Sequence, residues 1–150
     1  MPFLINCFWL LFISMADVYP KEVRSKVMSL IKSKNTKFEE KVFRFLRKQN
    51  LYFKKHYKRV PGSPDIALPR KKRAVFLDGD FWHGYKFKEK ESKLPEYYWR
   101  DKIRRNINRD RENRNGLKNS GWEVLRVWEH QLQKSEQRFL KRIYAFLTQD

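Results

Sequence analysis

The chain has 150 residues, enough for one domain with a single core, and its 41% apolar and 16% aromatic content argues against disorder despite 35% charged residues. Lysine and arginine number 35 against 17 acids, a net charge of +18; such an excess suits a polyphosphate, because neutralised phosphates release counterions, and favours nucleic acid over an anionic membrane. The lone cysteine, Cys7, excludes a disulfide framework, a CxxC redox pair and a thiolate zinc site, and fits a reducing cytoplasm.

Residues 1–14, MPFLINCFWLLFIS, are apolar but shorter than the roughly 20 residues of a membrane span. They also lack the basic start and cleavage site of a secretory signal. They read as an upstream in-frame start or a disordered extension, with residues 15–150 forming one domain that makes no membrane contact. Val23, Val27, Leu30 and Ile31 recur at helical spacing from Pro20 to Ser33, and Lys21, Arg24, Lys26 and Lys32 make that helix basic. TKFE at 36–39 is a capping box: Thr36 caps a helix that turns Phe38, Val42, Phe45 and Leu46 inward.

The segment NLYFKKHYKRV, 50–60, reads as extended. Pro61–Pro64 is a turn, followed by a short strand Asp65–Leu68, a basic turn Pro69–Arg73 and a buried strand Ala74–Asp78. These two strands form a hairpin with Asp65 and Asp78 near each other. Residues 85–98 read as a charged loop, and Trp99 to about Leu117 as a basic helix. Between 100 and 115 that helix carries seven Lys/Arg against three acids. Its inner stripe, Ile103, Ile107, Asp110 and Leu117, puts a carboxylate where an apolar residue belongs. Ser120-Gly121 ends the helix, WEVLRVW (122–128) is a strand, and Phe139, Leu140, Ile143, Phe146 and Leu147 mark a closing amphipathic helix. The fold class is α/β, a small mixed sheet flanked by helices.

FLDGDFWHG at 76–84 concentrates chemistry at a strand end: Asp78, Asp80, Phe81, Trp82 and His83. Phosphodiester hydrolysis needs a metal held by oxygen ligands, a base for water and cationic grip on the backbone. Asp65 with Asp78, or with the Leu77 carbonyl, can face one Mg²⁺, and a histidine suits a base near neutral pH. Each residue also has a plainer reading. Asp65 and Asp78 suit turns, Glu39 suits the capping box, and His83 suits a satisfied structural histidine. Phe81 and Trp82 suit core or cover, and Asp110 suits a pair with Arg111 or Arg114. Their convergence on two hairpin strands of a strongly basic chain favours the catalytic reading.

The motifs MADVYPKEVRSKVM from Met15, PGSPDIAL, FLDGDFWHG and NINRDRENRNGLKNSGWEVLRVWEH occur in the order and spacing of the very-short-patch-repair (Vsr) mismatch endonucleases. The chain resembles that family essentially from Met15 to its end. The resemblance implies a restriction endonuclease-like three-layer fold of the PD-(D/E)XK type. It implies an Mg²⁺-dependent enzyme that nicks one DNA strand beside a T:G mismatch left by deamination of 5-methylcytosine. By the same resemblance Asp65 is the metal-binding aspartate, Leu77 lends its backbone carbonyl, His83 activates water, and Glu39 is an acid of the active site. Asp78 falls where a family member has a second histidine, which leaves it as ligand or supporting acid. Phe81, Trp82 and Trp99 match aromatics that wedge into the base stack, where unstacking costs least at a mispair. Arg24, Lys26, Arg104, Arg105 and Arg109 are the candidate backbone contacts.

The positions matching the family's structural zinc ligands are Asp80, Tyr85, Phe87 and His130, which cannot close a nitrogen/sulfur zinc site. No structural zinc is expected; instead Asp80 bonds His130, and Tyr85 and Phe87 fill the space. The expected partners are mismatched double-stranded DNA and repair-system proteins, for a cytoplasmic, DNA-associated monomer. The alternatives are a restriction-type or defence endonuclease of the same fold that cuts unmodified duplex DNA, and a non-catalytic basic DNA-binding protein.

Overall fold

Thr36 caps a helix of the computed structural model, which describes Glu22, residues 34–93 and residues 97–149, without the side chains of 93 and 97–99. Helix α1 spans Lys37–Lys48. The Glu39 N–H donates to Thr36 Oγ1 at 3.2 Å, the Thr36 hydroxyl donates to Glu39 Oε1 at 3.2 Å, and the Asn35 N–H donates to Glu39 Oε2 at 2.8 Å. The predicted cap therefore forms, satisfying amides that a helix start leaves without partners. Its buried stripe is Glu39, Val42, Phe43 and Leu46, spaced i, i+3, i+4 and i+7. Phe43 fills the core position, whereas Phe38 and Phe45, expected inward, flank the stripe half-buried. The residues of the expected helix Pro20–Ser33 other than Glu22, with Arg24 and Lys26, and residues 1–14 lie outside the described residues.

The sheet has four strands in the order β1 (Lys54–Lys55), β2 (Ile66–Leu68), β3 (Arg73–Asp78) and β4 (Glu123–Trp128). The predicted hairpin is β2–β3, antiparallel, with Ile66 opposite Val75 and Ala67 opposite Ala74. Its turn is one 3₁₀ helix, Pro69–Lys71, closed by Lys72 in the left-handed region at φ 49°. Strand β1 pairs antiparallel with β2 but keeps only two residues of the extended stretch expected over 50–60. Strands β3 and β4 run parallel, Val75 beside Leu125 and Leu77 beside Val127.

Helix α2 (Phe87–Lys90) and a 3₁₀ turn (Glu91–Lys93) occupy the stretch expected to be loop. Four residues are too few to show a helical period in sequence; the half-buried Phe87, whose N–H donates to the Gly84 carbonyl at 3.1 Å, starts the helix. Helix α3 spans Tyr97–Asn119, α4 Glu129–Lys134 and α5 Glu136–Thr148. Helix α4, absent from the sequence expectation, begins where the Trp128 N–H donates to the Gln131 side chain at 3.1 Å.

The core forms where alternate residues of β3 and β4 (Val75, Leu77, Leu125, Val127) meet Val42, Phe43 and Leu46 of α1 and Leu140, Ile143 and Leu147 of α5. On the opposite face of the sheet, Phe76 lies beside Asn113 of α3 across Gly62, and Ile103 and Leu117 of α3 are buried. The result is a three-layer α/β arrangement of the restriction endonuclease-like kind. Among the described residues, no helix is long and apolar enough to cross a membrane.

Candidate active site

Asp65 sits immediately before β2, where the hairpin brings it against the end of β3. Its Oδ2 accepts the Leu77 N–H at 2.7 Å, so the amide of Leu77 fixes the carboxylate expected to share a metal with the Leu77 carbonyl. Its Oδ1 lies 3.5 Å from Nδ1 of His56, and the other nitrogen of that ring lies 3.4 Å from Oε2 of Glu39. The Asp65 side chain is only 19% exposed. Burial pushes its carboxyl up from the ordinary 3.8 to about 7; the charges of Glu39 and Asp78 add to the rise, against the Leu77 amide and the charge of His83. Among the described residues, neither Glu39 nor Asp65 has an ion pair with lysine or arginine.

His83 is placed by a loop locked onto α3. Gly84 adopts φ 71°, and a Cβ there would lie 2.4 Å from Cδ1 of Ile107, so only glycine allows this approach. The Asn106 side-chain amide also donates to the Trp82 carbonyl at 3.1 Å. One helical turn beyond Ile107 stands Asp110, whose Oδ2 lies 2.6 Å from Nδ1 of His83. The carboxylate that looked misplaced on an apolar stripe thus serves the histidine. Its arginine partner is Arg109 at 3.3 Å, not Arg111 or Arg114. Burial alone would lower the His83 imidazole, but the bond to Asp110 and the charges of Asp78 and Asp110 outweigh burial and an opposing Arg126, and hold it above its ordinary value. Asp110 is correspondingly low: burial opposes this, and His83 and Arg109 override it.

Asp78, buried at the end of β3, pairs with the Arg126 guanidinium and lies 3.5 Å from Nδ1 of His83. Arg126 also reaches the His83 carbonyl at 3.4 Å and stacks 3.9 Å over the Trp128 ring. Asp78 is therefore charge-compensated by Arg126 where it lies beside the imidazole. Both carboxylates face Nδ1 and not Nε2.

Phe81 and Trp82 stand edge to face, 4.9 Å apart at 82°, half-buried beside His83, with Lys102 5.3 Å over Trp82. The side chain of Trp99 lies outside the described residues. Arg104 is paired with Glu91 and with Asp101, Arg105 donates to the Asp101 carbonyl, and Arg109 serves Asp110. The basic face of α3 is thus partly neutralised within the chain. Asp80 and His130 make the expected bond, 2.7 Å from Oδ1 to Nδ1, and Tyr85 lies 4.1 Å from the His130 ring.

Sequence reasoning missed His56 and Arg126. The signal for His56 was a hairpin: pairing the extended stretch with the strand after Pro64 sets His56 across from Asp65, and the His56 N–H indeed donates to the Asp65 carbonyl at 3.1 Å. Nothing local marked Arg126, which meets Asp78 only through the parallel pairing of β3 with β4.

Comparison with known proteins points to one family. The family model described as DNA mismatch endonuclease Vsr matches residues 16–89. The DNA mismatch endonuclease Vsr of Escherichia coli (strain K12) is 36% identical over 125 residues, covering 81% of this chain and 79% of that protein. The chain belongs to the Vsr family. Two further relatives are nicking enzymes by name. The type II nicking enzyme V.NmeDIP of Neisseria meningitidis serogroup C is 37% identical over 121 residues, covering 79% of this chain and 82% of its own length. V.NmeAIP of serogroup A / serotype 4A (strain DSM 15465 / Z2491) is 39% identical over 119 residues, covering 79% and 85%.

Proposed function

We propose that this Vsr-family chain is a DNA endonuclease that nicks one strand beside a T:G mismatch, with Mg²⁺ as its cofactor. The observation that carries the reading is the Asp110–His83 contact at 2.6 Å, set beside the carboxylate of Asp65 at the end of one hairpin. Asp110 holds the proton on Nδ1 of His83, so Nε2 accepts a proton from water. The water oxygen then bonds to phosphorus as a phosphorus–oxygen ester bond breaks, leaving one DNA end as a phosphate and the other as a hydroxyl. Asp65, Glu39 and the Leu77 carbonyl are the oxygen donors that would hold the cation. They suit it because two grouped carboxylates have no lysine or arginine ion pair among the described residues and one of them resists ionisation. When bound, a divalent cation stabilises charge developing on the phosphoryl oxygens. Phe81 and Trp82 wedge between bases, a step that costs least at a mispair.

The chain would act as a DNA-associated monomer, with repair-system proteins as further partners, and Asp80, Tyr85 and His130 replacing a zinc centre. The test is cleavage of T:G, perfectly paired and single-stranded oligonucleotides, with Mg²⁺ and with chelator. The expected result is single-strand nicking of T:G duplex alone, blurred by Phe81→Ala or Trp82→Ala and abolished by Asp65→Ala. Cutting of the paired duplex at an equal rate would replace this reading with a restriction-type endonuclease, and binding without any cleavage would replace it with a DNA-binding protein.

A further inference from the structure

His56 has no part in the chemistry just described, yet its ring lies between Glu39 and Asp65. One nitrogen faces each carboxylate, at 3.4 and 3.5 Å, beyond the 2.7–3.2 Å of ordinary hydrogen bonds. The bond to the Asn35 side-chain oxygen is also long, at 3.3 Å. What fixes the ring is packing: it stands edge-on to Phe43, 5.9 Å between centroids at 84°, and is 15% exposed. The backbone turns to place it there, at φ 43° in the left-handed region that a bulky residue seldom occupies. That turn is closed by hydrogen bonds from His56 to Asp65 and from Tyr57 to Pro64, at 3.1 and 3.0 Å.

One ligand atom from each of Glu39, His56 and Asp65 can be chosen so that all three lie within 4.8 Å of one another. Three donors at 2.0–2.2 Å from a common ion lie about 3–4 Å apart, and further only where two stand opposite each other, so the side chains must draw together to close the set. We propose that His56, Glu39 and Asp65 form one divalent-cation site with mixed nitrogen and oxygen donors. This rests on the reading of Asp65 as a metal ligand and deepens it. An imidazole donor favours a transition ion over Mg²⁺, which prefers oxygen throughout. The site would therefore take Co²⁺ more tightly than Mg²⁺, and His56 would supply the difference.

The test titrates the full, tag-free chain with CoCl₂ and separately with MgCl₂ by calorimetry, without DNA, and records the visible absorption of bound Co²⁺. His56→Gln is expected to weaken Co²⁺ on the order of tenfold and to alter its spectrum, with Mg²⁺ affinity changed less than about twofold. Unchanged Co²⁺ affinity, or an equal loss for both ions, would overturn the proposal, the latter marking His56 as a spacer between carboxylates. Should His56→Gln not fold, hyperfine-shifted His56 ring protons are expected in Co²⁺-loaded wild type, and their absence also overturns it. Asp65→Asn separates the two readings. If it binds both ions as tightly as wild type, Asp65 is not a ligand and the metal reading itself fails; loss confined to His56→Gln and Co²⁺ leaves the nuclease reading standing.

Discussion

Around His83 each buried charge has a close counter-charge, whereas around Asp65 two carboxylates have an imidazole between them and, among the described residues, no ion pair with a guanidinium or ammonium. On the first side Arg126 neutralises Asp78, Arg109 touches Asp110, and Asp110 is bonded to His83 at 2.6 Å. On the second, contacts lengthen to 3.4 and 3.5 Å and the Asp65 carboxyl is pushed up to about 7. On the proposed mechanism the contrast separates two tasks. A base must keep one orientation and one tautomer, which calls for short, satisfied hydrogen bonds. A cation site must instead concentrate negative charge, at a cost to the protein that the ion offsets.

Three substitutions probe that contrast, the largest effect first. His83→Ala removes the proposed base and is expected to lower the nicking rate on T:G duplex by about 10²–10⁴, while binding to the same duplex, read by electrophoretic shift, changes little. Asp110→Asn keeps the shape but not the charge, so its loss should be smaller, and the pH–rate profile carries the signature. The pair holds the His83 pKa above its ordinary value, and the proposed mechanism requires the neutral ring, so the acid limb of the wild-type profile is expected above 6.5. In Asp110→Asn that limb should move to lower pH. An unmoved limb would mean that Asp110 only packs.

The smallest effect lies on the Asp65 side and concerns stability. In chelator, both folded and unfolded chains hold the Asp65 proton well below pH 3.8, and both have lost it well above 7. Between these values the folded chain keeps a proton that the unfolded chain has released. Stability therefore falls as pH rises from about 4 to 7 and then levels. Asp65→Asn removes that fall and can still accept the Leu77 N–H. Its melting temperature should match wild type near pH 4 and exceed it by several degrees at pH 8; equal melting temperatures at pH 8 would show that Asp65 carries no burial cost.

Local rules carried far. Thr36 and Glu39 announced a helix start because capping involves residues three apart. The hairpin was legible because a proline–glycine turn and a basic turn bracket a short apolar strand. The inner stripe of α3 exposed Asp110 as an anomaly, since helical period alone ties it to Ile103 and Ile107. Its partner was not legible, because Asp110 and His83 are 27 residues apart and meet only where Gly84 lets the loop touch α3. Helix α2 escaped because a single turn shows no period.

The sequence by itself determined the α/β class, the hairpin that carries Asp65, the cationic excess and, through its ordered motifs, the Vsr family. The tertiary structure decided which charges are spent on one another: Asp78 on Arg126, Asp110 on His83, Arg104 on Glu91. It also decided that His56 faces Asp65 and Glu39. The physical reason is distance along the chain. Propensity, capping and periodicity act over a few residues, whereas electrostatic pairing acts over a few ångströms in space, and the register of β3 on β4 and of β1 on β2, with the approach of the Gly84 loop to α3, converts one into the other.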